Sequence, residues 1–113
     1  MAGWYELSKS NDGQFRFVLK AGNGEVILTS ELYRARASAE NGIASVQKNS
    51  PDEARYELKQ AANGKTFFNL LAANHQVIGT SQMYASEASR ATGVASVRNC
   101  GPTDKIKDLT ASA

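Results

Sequence analysis

A shift of 51 residues lays the second half of this sequence over the first without a gap. Tyr5-Glu6-Leu7 falls on Tyr56-Glu57-Leu58, and Phe17-x-Leu19-x-Ala21 on Phe68-x-Leu70-x-Ala72. Val26-Ile27-x-Thr29-Ser30 meets Val77-Ile78-x-Thr80-Ser81, Tyr33 meets Tyr84, and Gly42-Ile43-Ala44-Ser45-Val46 meets Gly93-Val94-Ala95-Ser96-Val97. From Tyr5 to Asn49, 19 of 45 positions are identical, which makes this an internal duplication. Units of about 50 residues are each too small to bury much surface alone, so the copies must share a core. A chain of 113 residues is in any case one domain by length. Residues 1–113 are therefore expected to form a single domain from repeats 4–50 and 55–101, with 102–113 a polar, frayed tail in which Ile106 and Leu109 dock loosely. The seam is Asn49-Ser50-Pro51-Asp52-Glu53, where Pro51 favours an extended Ser50.

Each unit reads as three strands and a helix. Tyr5 and Leu7, like Tyr56 and Leu58, stand two apart and mark short half-buried strands. Phe15, Phe17, Leu19 and Ala21 then alternate with Gln14, Arg16, Val18 and Lys20, the period of a strand. Asn11-Asp12-Gly13 and Asn63-Gly64 are hairpin turns, since glycine accepts a positive φ. Asn23-Gly24 leads into a third strand over Glu25–Ser30. Its counterpart is Asn74-His75, where Asn74 is the residue expected in the left-handed region. Beyond Tyr33 the period becomes helical, with Ala35, Ala39, Gly42, Ile43 and Val46 on one stripe. The second helix carries Ser86, Arg90, Gly93, Val94 and Val97 there, with Ser86 as N-cap and an end near Gly101-Pro102. Mid-helix glycine costs about 1 kcal/mol against alanine, so Gly42 and Gly93 imply a close approach to the sheet or the other helix. The lines Ala37/Ala44 and Ala88/Ala95 point to the same crowding.

The class is α+β: a tandem β-β-β-α repeat with an approximate internal two-fold, antiparallel strands and two packed helices. Its expected core is Tyr5, Leu7, Phe15, Phe17, Leu19, Ile43 and Val46 with the equivalents Tyr56, Leu58, Phe68, Leu70, Val94 and Val97. Trp4-Tyr5-Glu6-Leu7, Phe15 to Glu25, Ile27-Leu28-Thr29-Ser30-Glu31-x-Tyr33, Ser38 to Ile43 and Asn69 to Gln76 together resemble the YegP-like family of small bacterial proteins, a domain of unknown function. The resemblance runs from Gly3 to about Asp108. It implies a cytoplasmic bacterial protein, duplicated within a family in which some chains carry one copy and pair between subunits. It carries over no catalytic residue.

Chemistry is sparse. One histidine, His75, and one cysteine, Cys100, lie 25 positions apart in different units, too few for a metal site. Ala21-Gly22-Asn23-Gly24 joins two strands rather than a strand and a helix, and no Walker lysine follows it. Glu6 and Glu57 would make a carboxylate pair only if a two-fold brought them together; as strand residues they are expected to pair with Lys or Arg across the ladder. Trp4 and Phe67 could stack bases beside Arg16, Lys20, Lys59 and Lys65. Acidic Glu6, Asp12, Glu25 and Glu57 are interleaved with them, and the net charge is only +2, which argues against nucleic acid. No cofactor is expected, and no apolar run reaches the length of a membrane span. No signal peptide is expected either, and the single cysteine fits a reducing cytoplasm.

The reading is a small non-enzymatic binding or accessory protein, a monomer with pseudo-dimeric internal symmetry; its partner is not identified by the sequence, a protein being the first candidate. A weak nucleic-acid module and an enzyme with an unrecognised site are the alternatives. The candidate recognition surface is the pair of strand-to-helix junctions: Ser30, Glu31 and Tyr33 in one unit, Ser81, Gln82 and Tyr84 in the other. Tyrosine anchors recognition at low entropy cost, but it can equally close a core edge with its hydroxyl in water.

Overall fold

The structure is a computed structural model that describes residues 3–110. Its strands are β1 (Trp4–Lys9), β2 (Phe15–Lys20), β3 (Val26–Ser30), β4 (Tyr56–Gln60), β5 (Thr66–Leu71), β6 (Val77–Thr80) and β7 (Ile106–Asp108). Helix α1 (Arg36–Asn49) follows β3 and α2 (Glu87–Cys100) follows β6, so each unit is β-β-β-α as the patterning predicts. All seven strands form one sheet in the order β4-β5-β6-β3-β2-β1-β7.

The two units meet at the antiparallel β3–β6 pair, and there Thr29 faces Thr80, its own equivalent in the repeat. An internal two-fold therefore passes between those two threonines. Both helices cover one face of the sheet, and each reaches strands of both units. The hydroxyl of Tyr5 donates to the carbonyl of Gly101 at 2.6 Å, and that of Tyr56 to the carbonyl of Ser50 at 2.7 Å. Each unit's first strand is thus tied to the end of the other unit's helix. Burial pushes the titration of both phenols upward.

Of the expected core, Tyr5, Leu7, Phe17, Leu19, Ile43, Val46, Phe68, Leu70 and Val97 are buried, and Phe15, Tyr56 and Val94 pack against them. Ile27, Leu28, Ala39, Ile78 and Cys100 complete it. Ile27 and Ile78 are absent from a period-two reading because each is skipped at a β-bulge, where the register slips between Leu19 and Lys20 and again between Leu70 and Leu71. Leu58 does not belong: it is 57% exposed.

Four further expectations are corrected. Residues 106–108 are not a frayed tail but a strand parallel to β1, which makes the sheet mixed. Ser50 is helical rather than extended despite Pro51, because its N–H continues the helix to Val46 at 2.8 Å and it is fully buried. In the Asn74-His75 turn His75, not Asn74, takes the positive φ of 69°, since His75 occupies the place of Gly24. Asn74 instead accepts the Gln76 N–H with its side chain. Finally, Ala37, Ala44, Ala88 and Ala95 are exposed, and Ala35 precedes its helix without capping it. The crowding at Gly42 and Gly93 comes from tyrosine. A Cβ on Gly42 would stand 2.5 Å from the Tyr33 hydroxyl and 2.8 Å from Phe17, and one on Gly93 2.2 Å from the Tyr84 hydroxyl.

Candidate functional site

The junction residues have defined structural work. Ser30 is buried; its hydroxyl accepts the Phe17 N–H at 2.9 Å and donates to the Glu31 carbonyl at 2.7 Å. Ser81 does the same with the Phe68 N–H at 3.0 Å and the Gln82 carbonyl at 2.8 Å. Tyr33 and Tyr84 are half-buried and stack on Phe17 and Phe68, each at 6.3 Å between ring centroids. Burial, with Glu31 nearby, raises the Tyr33 phenol above its ordinary value. Glu31 and Gln82 are exposed, as are the neighbouring Leu32 and Met83, which the sequence reading did not single out. The two junctions are equivalent patches, but their serines and rings face inward.

The other candidates separate. Glu6 sits on β1 and Glu57 on β4, five strand spacings apart, which at about 4.8 Å each is about 24 Å. Glu6 accepts the Trp4 indole N–H at 2.9 Å and pairs with Lys20 at 3.1 Å, contacts that hold its carboxyl below the usual range. Glu57 accepts from Asn69 at 3.1 Å. Trp4 and Phe67 lie on β1 and β5, about 19 Å apart by the same spacing, and Lys107 already lies over the Trp4 ring. His75 is in a surface turn and Cys100 is buried. Among the described residues no three His, Cys, Asp or Glu side chains lie close enough to hold a metal ion.

What the sequence reading missed is an asymmetry between equivalents. Leu7 is 1% exposed and Leu58 is 57% exposed. Outside β1, the chain's own β7 closes the sheet edge: Tyr5 N–H donates to the Lys105 carbonyl at 2.9 Å and Leu109 N–H to the Leu7 carbonyl at 2.8 Å. Arg36 of α1 clasps the segment, donating to Asp108 and, at 2.6 Å, to the Thr110 hydroxyl. Gln47 donates to the Thr103 carbonyl at 2.8 Å. Outside β4 there is no such strand among the described residues. Phe68 spends its N–H and C=O on Ser81 of the next segment, so Leu58, which faces it, turns its own backbone groups outward. Between this edge and α2 lies a cleft of about 230 Å³, floored by Tyr56, Leu58, Ala91 and Val94 and flanked by Glu87 and Arg98. It continues past Lys59 and Gln60 as a hollow of about 360 Å³. Only the repeat comparison could have flagged it: Arg36 is replaced by Glu87, and Gln47 by Arg98.

Comparison with known proteins places the duplication in a family. The Domain of unknown function (DUF1508) family matches residues 10–57 and 61–108, so its unit starts at β2 and runs through the helix into the strand after it. A UPF0339 protein of Acinetobacter baylyi is 72% identical over 110 residues, covering 97% of this chain and 99% of that protein. The solution NMR structure of YegP from E. coli, a protein of unknown function, superposes with a TM-score of 0.94 at 67% identity, covering 100% of this chain and 97% of that one. The solution structure of a UPF0339 protein from Shewanella oneidensis gives 0.92 at 66% identity, covering 97% and 93%. The chain belongs to the UPF0339 family, as a tandem of two DUF1508 units. No helix among the described residues is long and apolar enough to cross a membrane.

Proposed function

We propose that this UPF0339 protein is a small non-enzymatic binding module of the cytoplasm, and that it holds its partner at the open β4 edge and the cleft beside α2. One observation carries the reading: equivalent leucines at the two ends of the sheet differ from 1% to 57% exposure because a strand covers one and not the other. An exposed edge with outward backbone groups and an apolar floor is the arrangement by which extended segments add to sheets. The β4 edge is short and carries Lys59, which suits reversible occupancy better than aggregation.

The test is a selection of random peptides on the full chain, followed by titration of the selected peptides into ¹⁵N-labelled protein. Shifts centred on Leu58, Ala91 and Val94, lost in Leu58→Glu, are the expected result. Shifts centred on Glu31, Leu32, Gln82 and Met83 would move the contact surface to the strand-to-helix junctions and leave the binding class standing. Turnover of a small molecule by the purified chain would defeat the class itself.

A further inference from the structure

We infer that the β4–α2 groove takes an extended polypeptide as an eighth strand, parallel to β4, and selects one with a basic side chain where β7 carries Asp108. The inference rests on the groove reading above and adds direction and charge to it.

Direction follows from the covered end of the sheet. β7 runs parallel to β1, pairing Ile106 with Tyr5 and Asp108 with Leu7. The internal two-fold carries that arrangement onto β4. There the Tyr56 carbonyl and both backbone groups of Leu58 are turned outward, by the same alternation that frees Leu7 for β7. The Tyr56 N–H differs, being taken by the Glu53 carbonyl at the end of the short 3-10 turn Glu53–Arg55. An incoming strand therefore forms its first bond one step later than β7 does, at the Tyr56 carbonyl. Arg98 stands where Gln47 holds the Thr103 carbonyl, ready to take a carbonyl at the start of the segment.

Charge follows from the replacement at the Arg36 place; the cleft also carries Arg90, at the place of Ala39, but its guanidinium is spent on the Thr66 hydroxyl and the Lys59 carbonyl. In unit 1 Arg36 grips Asp108. At the equivalent place in unit 2 stands Glu87, on the rim of the cleft. A segment laid there in β7 register puts its sixth residue beside that carboxylate. Aspartate would be repelled, whereas lysine or arginine would pair. The chain's own tail, and hence the tail of a second copy, is the wrong ligand for this groove. The occupant is a segment of a different protein, apolar at the Ile106 place and basic two residues later.

Two synthetic peptides test this on the full ¹⁵N-labelled protein: Thr-Asp-Lys-Ile-Lys-Asp-Leu-Thr, the sequence of residues 103–110, and the same peptide with the Asp108→Lys change. The basic peptide is expected to shift the Leu58 amide and to bind about fivefold or more tighter than the parent, the scale of an exposed charge pair made rather than opposed. Glu87→Arg, at an exposed helix position that leaves folding intact, is expected to reverse the order. A spin label on the peptide's C-terminus is expected to broaden Glu87 and its neighbours. Equal affinity of the two peptides at the groove would overturn the charge assignment, and broadening near Arg98 the parallel direction; either leaves the groove reading intact. Absence of any shift at Leu58 with both peptides would overturn the inference together with the groove reading.

Discussion

The two units share pattern, turns and helix, yet they end differently: one edge is closed by the chain itself and the other is left open. The interior differs in the same spirit. The threonines on the two-fold are alike, but at two other places equivalent residues approach one another and only one side chain fits. Leu28 fills the place beside Gly79, its equivalent, where a Cβ would stand 2.7 Å from the leucine. Ser50 fills the place beside Gly101, its equivalent, where a Cβ would stand 2.0 Å from the serine hydroxyl. Two identical subunits would have to place the same residue on both sides of such an axis. A duplicated chain can place a large one and a glycine. Duplication here is thus a licence for asymmetry, at the axis for packing and at the edges for access.

The most forceful way to break the comparison is to truncate the two equivalent leucines. Leu7→Ala, in a fully packed site, is expected to lower stability by about 2–5 kcal/mol. Leu58→Ala is expected to change it by no more than about 0.5 kcal/mol, as surface substitutions do. Urea midpoints read both. Similar losses would mean that Leu58 is covered in solution and the edges are alike.

The axis gives the next largest effect. Gly79→Ala forces a methyl group against Leu28 and is expected to cost about 1–3 kcal/mol. In a Leu28→Ala background the same change should be neutral or favourable, because the space is then vacant and alanine suits a strand better than glycine. Additive losses would show that the two sites do not share one space.

Much of this architecture was legible, for physical reasons. Period-two and helical patterning, with Asn-Gly turns, mark β1 to β6 and both helices because those signals are local. The position of β7 was not legible: Lys105-Ile106-Lys107-Asp108 has no alternation strong enough to announce a strand, and its pairing, Ile106 with Tyr5, depends on an edge formed 101 residues earlier. The DUF1508 matches at 10–57 and 61–108 show what it is, the strand that follows α2 as β4 follows α1. Because β1 already holds the place beside β2, that strand lies one position further out. Leu58 reads as a core residue because it copies Leu7, and a copied side chain says nothing about whether its cover was copied too. The role of the junction tyrosines is half legible: the sequence implies a ring at the core edge, but Gly42 and Gly93 by themselves point to the sheet or the other helix rather than to that ring.

Those glycines sharpen the comparison by a smaller amount. A Cβ on Gly42 meets both Tyr33 and fully buried Phe17, which has nowhere to go. The atoms nearest to a Cβ on Gly93 all belong to half-buried Tyr84. Gly42→Ala is expected to cost about 1–2 kcal/mol despite the better helix propensity, and Gly93→Ala less than about 1 kcal/mol. Upward midpoints in both variants would show that the tyrosines do not fill those positions.

The smallest effect is local to the closed edge and depends on pH. The Arg36 guanidinium, with the Thr110 hydroxyl and N–H, holds the Asp108 carboxyl down to about 2, below the unfolded value near 3.9. A carboxylate depressed in the folded state adds stability above its unfolded value, and that contribution fades as pH falls through the folded one. The clasp on β7 is therefore expected to be unchanged from neutral pH to about pH 4 and to weaken between about 4 and 2. The hydrogen bond from the Leu109 N–H to Leu7 reports it directly, as the protection of that amide against exchange relative to its intrinsic rate. Asp108→Asn, which removes the charge at every pH, should show the weakened protection already at pH 7 and no further loss on acidification. Because Asp108 lies at the surface, global stability should scarcely follow. If the Leu109 amide of the parent protein keeps full protection at pH 2, or if the asparagine variant matches the parent at pH 7, the ion pair does not hold β7. The closed edge would then owe its cover to the backbone ladder alone, which is the part of the arrangement that the open β4 edge still offers.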